Sequence, residues 1–322
     1  MADNQYIYAV ARIRSKELEL LDKSSFDQLL ACKSHDACLR FLADRGWGKG
    51  NGENADQLLA AEREKTWELI RELVKDISVF HTFLYGNDYH NLKAAIKQVY
   101  QNQEVPDIYL SNGTLKPEII YKAVKEHDFS ALPEYMRACG EEAYQVQLHT
   151  GDSQLCDVII DKAALSTIYK MAGESGNELL LQYAELKVAA SDIKIAIRSF
   201  RTGKHREFLE RAVADCKTLD RGKLIDAALE GEAAIYGYLE NTVYSDAVQA
   251  LKESPSAFER WCDNLIIRHI RPQKYNSFTL SPLAAYILAR ENEIKSVRIL
   301  LSGKLNGLPE DSIQERLREM YV

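Results

Sequence analysis

The sequence predicts an all-α protein made of three similar helical domains. Three observations carry this. Apolar residues recur at the three-or-four spacing of a helix face, strand-type alternation flanked by hairpin turns is scarce, and one block of residues returns twice at a spacing of 101 positions. Trp67, Ile70, Leu73, Val74, Ile77, Phe80, Phe83 and Leu84 form one such face, with charged residues between them. Ser254-Pro255, Ser281-Pro282 and Leu308-Pro309 place proline at a first helical position, where its missing N–H costs nothing. None of the seven prolines has to break a long amphipathic segment.

The repeat is the most informative of the three. Leu92-Lys93, Ile193-Lys194 and Ile294-Lys295 stand 101 positions apart, as do Ala95, Ala196 and Val297. Asn91, Asp192 and Glu293 fill the column just before them. Downstream, Arg198, Gly203 and Lys204 return as Arg298, Gly303 and Lys304, now 100 positions on, so the third copy is one residue shorter there. Asn102 aligns with Gly203, and both are residues that end a helix in the left-handed conformation, so this column predicts a helix stop. Each copy opens with a similar amphipathic piece, at 26–42, 119–136 and 224–251. The units are 1–105, 106–207 and 208–322, with connections at 105–116 and 202–206. A period this long exceeds the roughly 20–50 residues of solenoid repeats, which predicts domains around a pseudo-threefold axis rather than a rod.

Composition narrows the function. A chain of 322 residues, 46% hydrophobic and 28% charged, buries a core without cross-links. Its net charge of −7 opposes nucleic acid and anionic membrane surfaces. The six cysteines show no CxxC pair and no histidine at zinc-finger spacing, so they read as reduced, small apolar residues in a reducing compartment. The longest apolar run, 283–289, falls far short of the ~18 residues of a membrane span, and residues 6–11 are too short for a secretory core. A cytoplasmic protein is expected, linked to any membrane through a partner.

No motif carries chemistry. The glycine-rich residues 46–52 lack the GxxxxGK[ST] spacing and a preceding strand, and read as a helix cap running into a mobile loop. Seven histidines include no HExxH, Glu141-Glu142 and Glu291 with Glu293 read as solvated helix faces, and no nucleophile elbow is present. Asn112-Gly113-Thr114 fits a glycosylation sequon, which without a secretory signal is as readily a chance match as a true one. Lys93, Lys194 and Lys295 would form a ring of positive charge under threefold packing. The simpler reading pairs each with a carboxylate of its own domain.

Particular stretches resemble the C subunit of bacterial and archaeal V/A-type ATP synthases, the family that includes the d subunit of the vacuolar ATPase. The specific match is Ala284-Ala285-Tyr286-Ile287-Leu288-Ala289-Arg290-Glu291-Asn292-Glu293-Ile294-Lys295-Ser296-Val297-Arg298, then residues 303–309 and 316–322. Residues 6–14, 26–42 and 89–97 are similar too, and the central third is looser. The resemblance implies three helical domains in a funnel, a narrow base on the membrane rotor ring and a cavity for the foot of the central shaft. It implies no catalytic residue, no cofactor and no metal. The role is that of a mechanical rotor adaptor serving ATP-driven ion transport or ATP synthesis. Arg12 and Arg14 follow an apolar entry segment without an evident helical partner, and with Lys93, Lys194 and Lys295 they are the candidate partner-binding residues. The ring contact is expected to use polar loops and helix ends, with no insertion into lipid. A generic helical scaffold and an enzyme using one of the three lysines in a cavity are the competing readings.

Overall fold

The computed structural model describes residues 6–50, 52–103 and 105–322, and every regular element among them is helical. In chain order these are α1 (Ile7–Glu17), α2 (Lys23–Ala31), α3 (His35–Asp44), α4 (Ala55–Leu73), α5 (Tyr85–Gln101), α6 (Pro117–Glu126), α7 (Glu134–Thr150) and α8 (Ser153–Glu174). There follow α9 (Glu178–Arg201), α10 (Arg206–Ala212), α11 (Arg221–Glu230), α12 (Glu232–Leu239), α13 (Ala247–Glu253), α14 (Pro255–Ile270), α15 (Ser281–Leu305) and α16 (Glu310–Gln314). The chain forms two compact units. One joins Met1–Ile77 to Gln249–Val322, and the other is Ser78–Val248.

Several predicted helices are broken. The face from Trp67 to Leu84 is not one helix: α4 stops at Leu73, Val74 is extended, and a 3-10 segment, Ile77–Phe83, follows. The unit boundary falls at this break. The amphipathic pieces that open the copies are likewise broken, 26–42 and 119–136 over two α-helices each and 224–251 over three. Ser34 caps α3 by accepting from the Ala37 N–H, His127 ends α6 in the left-handed region, and Gly231 separates α11 from α12. A helical period survives a short break in the helix, so periodicity alone does not reveal these interruptions. The connections do stand where the sequence puts them. No helix occupies 105–116, and 202–205 separates α9 from α10. Pro255 opens α14, whereas Pro309 sits one residue earlier than expected, as the cap of α16.

The repeat columns become the inner face of three long helices. Lys93 lies on α5, Lys194 on α9 and Lys295 on α15. Leu92, Ile193 and Ile294 are buried, as are Ala95, Ala196 and Val297. The column before them does the same work in each copy: its side-chain oxygen accepts a backbone N–H from a loop. Leu110 N–H donates to Asn91 Oδ1 at 2.8 Å, Ala214 N–H to Asp192 Oδ1 at 3.0 Å, and Leu21 N–H to Glu293 Oε1. All three acceptor residues are buried, so each side-chain oxygen finds in the loop N–H a partner that its burial requires.

The helix stop is found in two copies and displaced in the third. Asn102 and Gly203 both adopt positive φ, at 49° and 64°. Gly303, their counterpart by sequence, lies inside α15, and the left-handed stop is Gly307, one turn later. Gly303 serves close approach instead: a Cβ there would lie 2.6 Å from Ile313 Cγ1, where α16 packs on the helix.

Packing joins the end of each copy to the beginning of the next. In the continuous unit, α5 packs on α6, α7 and α8 around Tyr89, Leu92, Ile96, Ile120, Val124 and Met136. In the same unit α9 packs on α10, α11 and α12. In the discontinuous unit α15 packs on α1, α3 and α4, and its Ile294, Val297, Leu300 and Leu301 share a core with Leu21, Phe26, Leu29, Leu42 and Leu59. Helix α15 is buried all round from 281 to 290, which explains why its apolar stretch has no polar face.

Candidate partner-binding site

The discontinuous unit contains a polar cavity of about 410 Å³. Helix α1 gives it Arg12 and Lys16, the α3–α4 connection gives Arg45, Gly46 and Trp47, α4 gives Lys65, Glu68 and Glu72, and α15 gives Tyr286 and Arg290. At its base lies a buried charge cluster. Arg290 donates to Glu62 on α4 and to Glu293 on its own helix, its Nε reaches Thr66 Oγ1 at 3.3 Å, and its guanidinium lies 5.1 Å from the Trp47 ring centroid. Burial disfavours the Arg290 charge, but Glu293 and Glu62 outweigh it and hold its pKa above the ordinary value. Burial also pushes the Glu293 carboxyl up, against the pull of Arg290 and the Leu21 N–H. Every charge here has a partner, which a buried cluster requires.

The glycine-rich connection is anchored to this cluster. Gly48 N–H donates to Glu62 Oε1 at 2.8 Å, Lys65 Nζ donates to the Gly46 carbonyl at 2.8 Å, and Trp47 is buried. Residues 46–48 are thus a packed turn and not the mobile loop the glycines suggest, while Asn51 of the same stretch lies outside the described residues. Glu293 is also no solvated residue, unlike the exposed Glu141 and Glu142.

Arg12 is exposed on the cavity rim and has no ionic partner among the described residues. Arg14 does have a helical partner. Its Nη1 donates to both Glu17 oxygens, at 2.6 and 2.7 Å, and its Nη2 to the carbonyls of Gln273 and Asn276, at 2.5 and 2.8 Å. The second pair could not be read from sequence, because 259 positions separate Arg14 from Gln273. Tyr321 completes this cluster: its hydroxyl donates to Glu17 Oε1 at 3.1 Å, and burial beside Glu17 raises the phenol's pKa.

Two of the repeated lysines pair with carboxylates: Lys295 within its own repeat unit, 208–322, but Lys93 with a residue of the following unit, 106–207, and not of its own. Lys93 donates to Asp161 at 2.7 Å and Lys295 to Asp263 at 2.5 Å. Asp263 also accepts from Arg318 Nε at 2.8 Å. Lys194 is exposed on α9. The five candidates divide between the two compact units. Arg12, Arg14 and Lys295 belong to the discontinuous unit, Lys93 and Lys194 to the other. Sequence reasoning missed the Glu62–Arg290–Glu293 cluster. Its signal was present as two charges, Arg290 and Glu293, interrupting the apolar run of α15.

The other motifs have structural roles. Thr114 of the sequon gives its hydroxyl to Asp88 Oδ2 at 2.5 Å, and its N–H and that of Leu115 donate to the same buried carboxylate. The six cysteines are free, and burial raises the Cys38, Cys139 and Cys216 thiols to about 12 and Cys156 to about 11, which keeps them as unreactive thiols. Among the described residues no three His, Cys, Asp or Glu side chains are placed to hold a metal, and no helix is long and apolar enough to cross a membrane.

Comparison with known proteins matches residues 9–316 to the model of the ATP synthase (C/AC39) subunit family. The chain is similar to the C subunit of the V-type sodium ATPase of Enterococcus hirae, at 22% identity over 96% of this chain and 97% of that protein. It is similar to the C subunit of the V-type ATP synthase of Thermus thermophilus, at 24% identity over 98% of this chain and 99% of that protein. The C subunit of the A-type ATP synthase of Methanocaldococcus jannaschii is 23% identical over 97% of this chain and 86% of its own length.

Proposed function

From the premise that this chain belongs to the ATP synthase (C/AC39) subunit family, we propose that it joins the central shaft of its rotary ATPase to the membrane rotor ring. It is a non-catalytic subunit of a V/A-type complex, and the observation that carries this is a family match running through nearly the whole chain. A generic scaffold gives no reason for such a match. The function is mechanical: nucleotide chemistry and ion movement belong to other subunits, and this one transmits torque.

Close packing suits that role. Helix α15, buried all round from 281 to 290 and tied to α4 by Arg290–Glu62 and Arg63–Glu291, resists compression and shear better than a loosely packed bundle. Peripheral attachment to the membrane through the ring follows from the same reading. The repeat units 1–105, 106–207 and 208–322, in a funnel about a pseudo-threefold axis, are proposed as the architecture that surrounds the shaft. Recurrence of the buried loop acceptor at Asn91, Asp192 and Glu293 supports it. Arg12, on the cavity rim, is proposed as the shaft-contacting cation, with Arg14 setting its surroundings. Lys93, Lys194 and Lys295 are proposed to lend positive charge.

Co-purification tests the reading. Tagged wild-type chain should recover ring and shaft subunits of the rotary ATPase, and an Arg12→Glu variant should recover less shaft at low salt. Recovery of neither subunit by the wild type would refute the adaptor role.

A further inference from the structure

Arg14 holds a loop whose outward side chains nothing in the described protein uses. Its guanidinium bonds the carbonyls of Gln273 and Asn276, while Tyr275 between them is 90% exposed and Phe278 just beyond is 52% exposed. Asn276 Nδ2 ties the loop to itself through Gln273 and Thr279, at 3.0 and 2.7 Å. At the C-terminal cap of α1, four residues after Arg14, Leu18 is 87% exposed, and Ile7 lies two turns before Arg14 on the same helix. Tyr275 and Leu18 are the most exposed large apolar side chains among the described residues; the first lies between the two residues whose carbonyls Arg14 binds, and the second follows Arg14 by four positions.

Scattered apolar side chains are ordinary on a surface, but several around one fixed anchor mark an interaction site. The loop is already ordered by four hydrogen bonds, so a partner binding Tyr275 loses little entropy in fixing it. Charge selects the partner. Residues 6–19 and 271–278 hold five cations, of which Arg14, Lys16 and Arg271 pair with Glu17, Glu19 and Glu319, so Arg12 and Lys274 stand in excess on a chain whose net charge is −7.

We propose that Leu18, Tyr275 and Phe278, around Arg14, form a docking surface for a protein partner that presents an apolar side chain within an acidic surface. Tyrosine, phenylalanine and arginine are the residue types enriched at protein interfaces. An anionic membrane is disfavoured because only two of these cations lack a carboxylate partner among the described residues, short of the cluster of roughly 4–8 that binds anionic headgroups. The inference rests on the adaptor reading and names one surface through which it is carried out.

The test uses rotary ATPase purified without this subunit, to which wild-type chain and a Leu18→Ala/Tyr275→Ala/Phe278→Ala variant are added back. These side chains are exposed, so the variant should melt like the wild type. Wild type should rebind, more weakly as salt rises, and the variant should bind at least tenfold more weakly. Equal binding of both would overturn the docking surface and leave the adaptor role intact. Failure of the wild type to rebind would remove the adaptor role and this inference with it. Sedimentation with protein-free phosphatidylglycerol vesicles is the second arm: binding that depends on Tyr275 would overturn the protein partner in favour of lipid.

Discussion

Glu293, on the long helix α15, accepts a hydrogen bond from the backbone N–H of Leu21, 272 positions earlier. Its counterparts Asn91 and Asp192 accept from loops only 19 and 22 positions later. One column of the repeat thus does one job three times, twice with the segment that follows it and once with the opening of the chain. The side chains differ because their surroundings do. Glu293 has Arg290 to balance its charge, Asn91 carries none, and Asp192 keeps a carboxylate in a buried place.

Asp192 makes stability depend on pH. Burial lifts its folded-state pKa from 3.8 to about 7, against the Ala214 N–H and Lys162, which lower it. The folded state therefore holds this proton more tightly than the unfolded chain does. The stability it contributes is full below pH 3.8 and is lost as pH rises to about 7. Asp192→Asn keeps the acceptor for Ala214 and removes the charge. Urea unfolding should find the variant more stable than wild type by roughly 1–3 kcal/mol at pH 8, with the advantage shrinking towards pH 4.

Removing the cation from the buried cluster should be severe. Arg290→Met strands Glu62 and Glu293 without their shared partner, at a cost of roughly 3–5 kcal/mol. A drop of under about 1 kcal/mol in denaturant unfolding would show that water already reaches the cluster.

Gly303→Ala tests the contact between α15 and α16. The added Cβ would meet Ile313 Cγ1 at 2.6 Å and Cδ1 at 2.8 Å, inside any normal contact. The substitution should destabilise by about 1–3 kcal/mol, although alanine is the better helix former, and Ile313→Ala should restore part of what is lost only in that background. Equal effects of Ile313→Ala with and without Gly303→Ala would contradict the contact.

Arg14→Ala should loosen the loop at 273–278 while sparing α15. Hydrogen exchange at Asn276 and Phe278 should rise in the variant, whereas exchange at Leu300 and Leu301 should stay as in wild type.

Much of this was legible in residue types and their spacing. Lys93, Lys194 and Lys295 do lie on long helices whose buried columns match, because burial on one helix face leaves a periodic trace. The break after Leu73 left none, since Val74 continues the apolar period while its backbone turns extended. Arg14 was half legible: Glu17, three positions on, is a partner that helix spacing offers, whereas its backbone acceptors, the carbonyls of Gln273 and Asn276, leave no mark in residue types at any spacing. The anchoring of Trp47 was hidden in the same way, because glycines that cap and glycines that flex look alike until Glu62 is seen beneath Gly48.

The discontinuity of the first unit bears on how the chain is made. Leu21, Phe26, Leu29, Leu42 and Leu59 leave the ribosome long before Ile294, Val297, Leu300 and Leu301, the side chains that complete their core. Ser78–Val248, by contrast, has its own core in hand as soon as α12 has emerged. Synthesis therefore runs through a stage in which a finished domain trails an opening segment with an uncovered apolar face. That interval, of some two hundred residues at roughly 5–20 residues per second, lasts tens of seconds at the slower rates. It is the stage at which a chaperone would be needed.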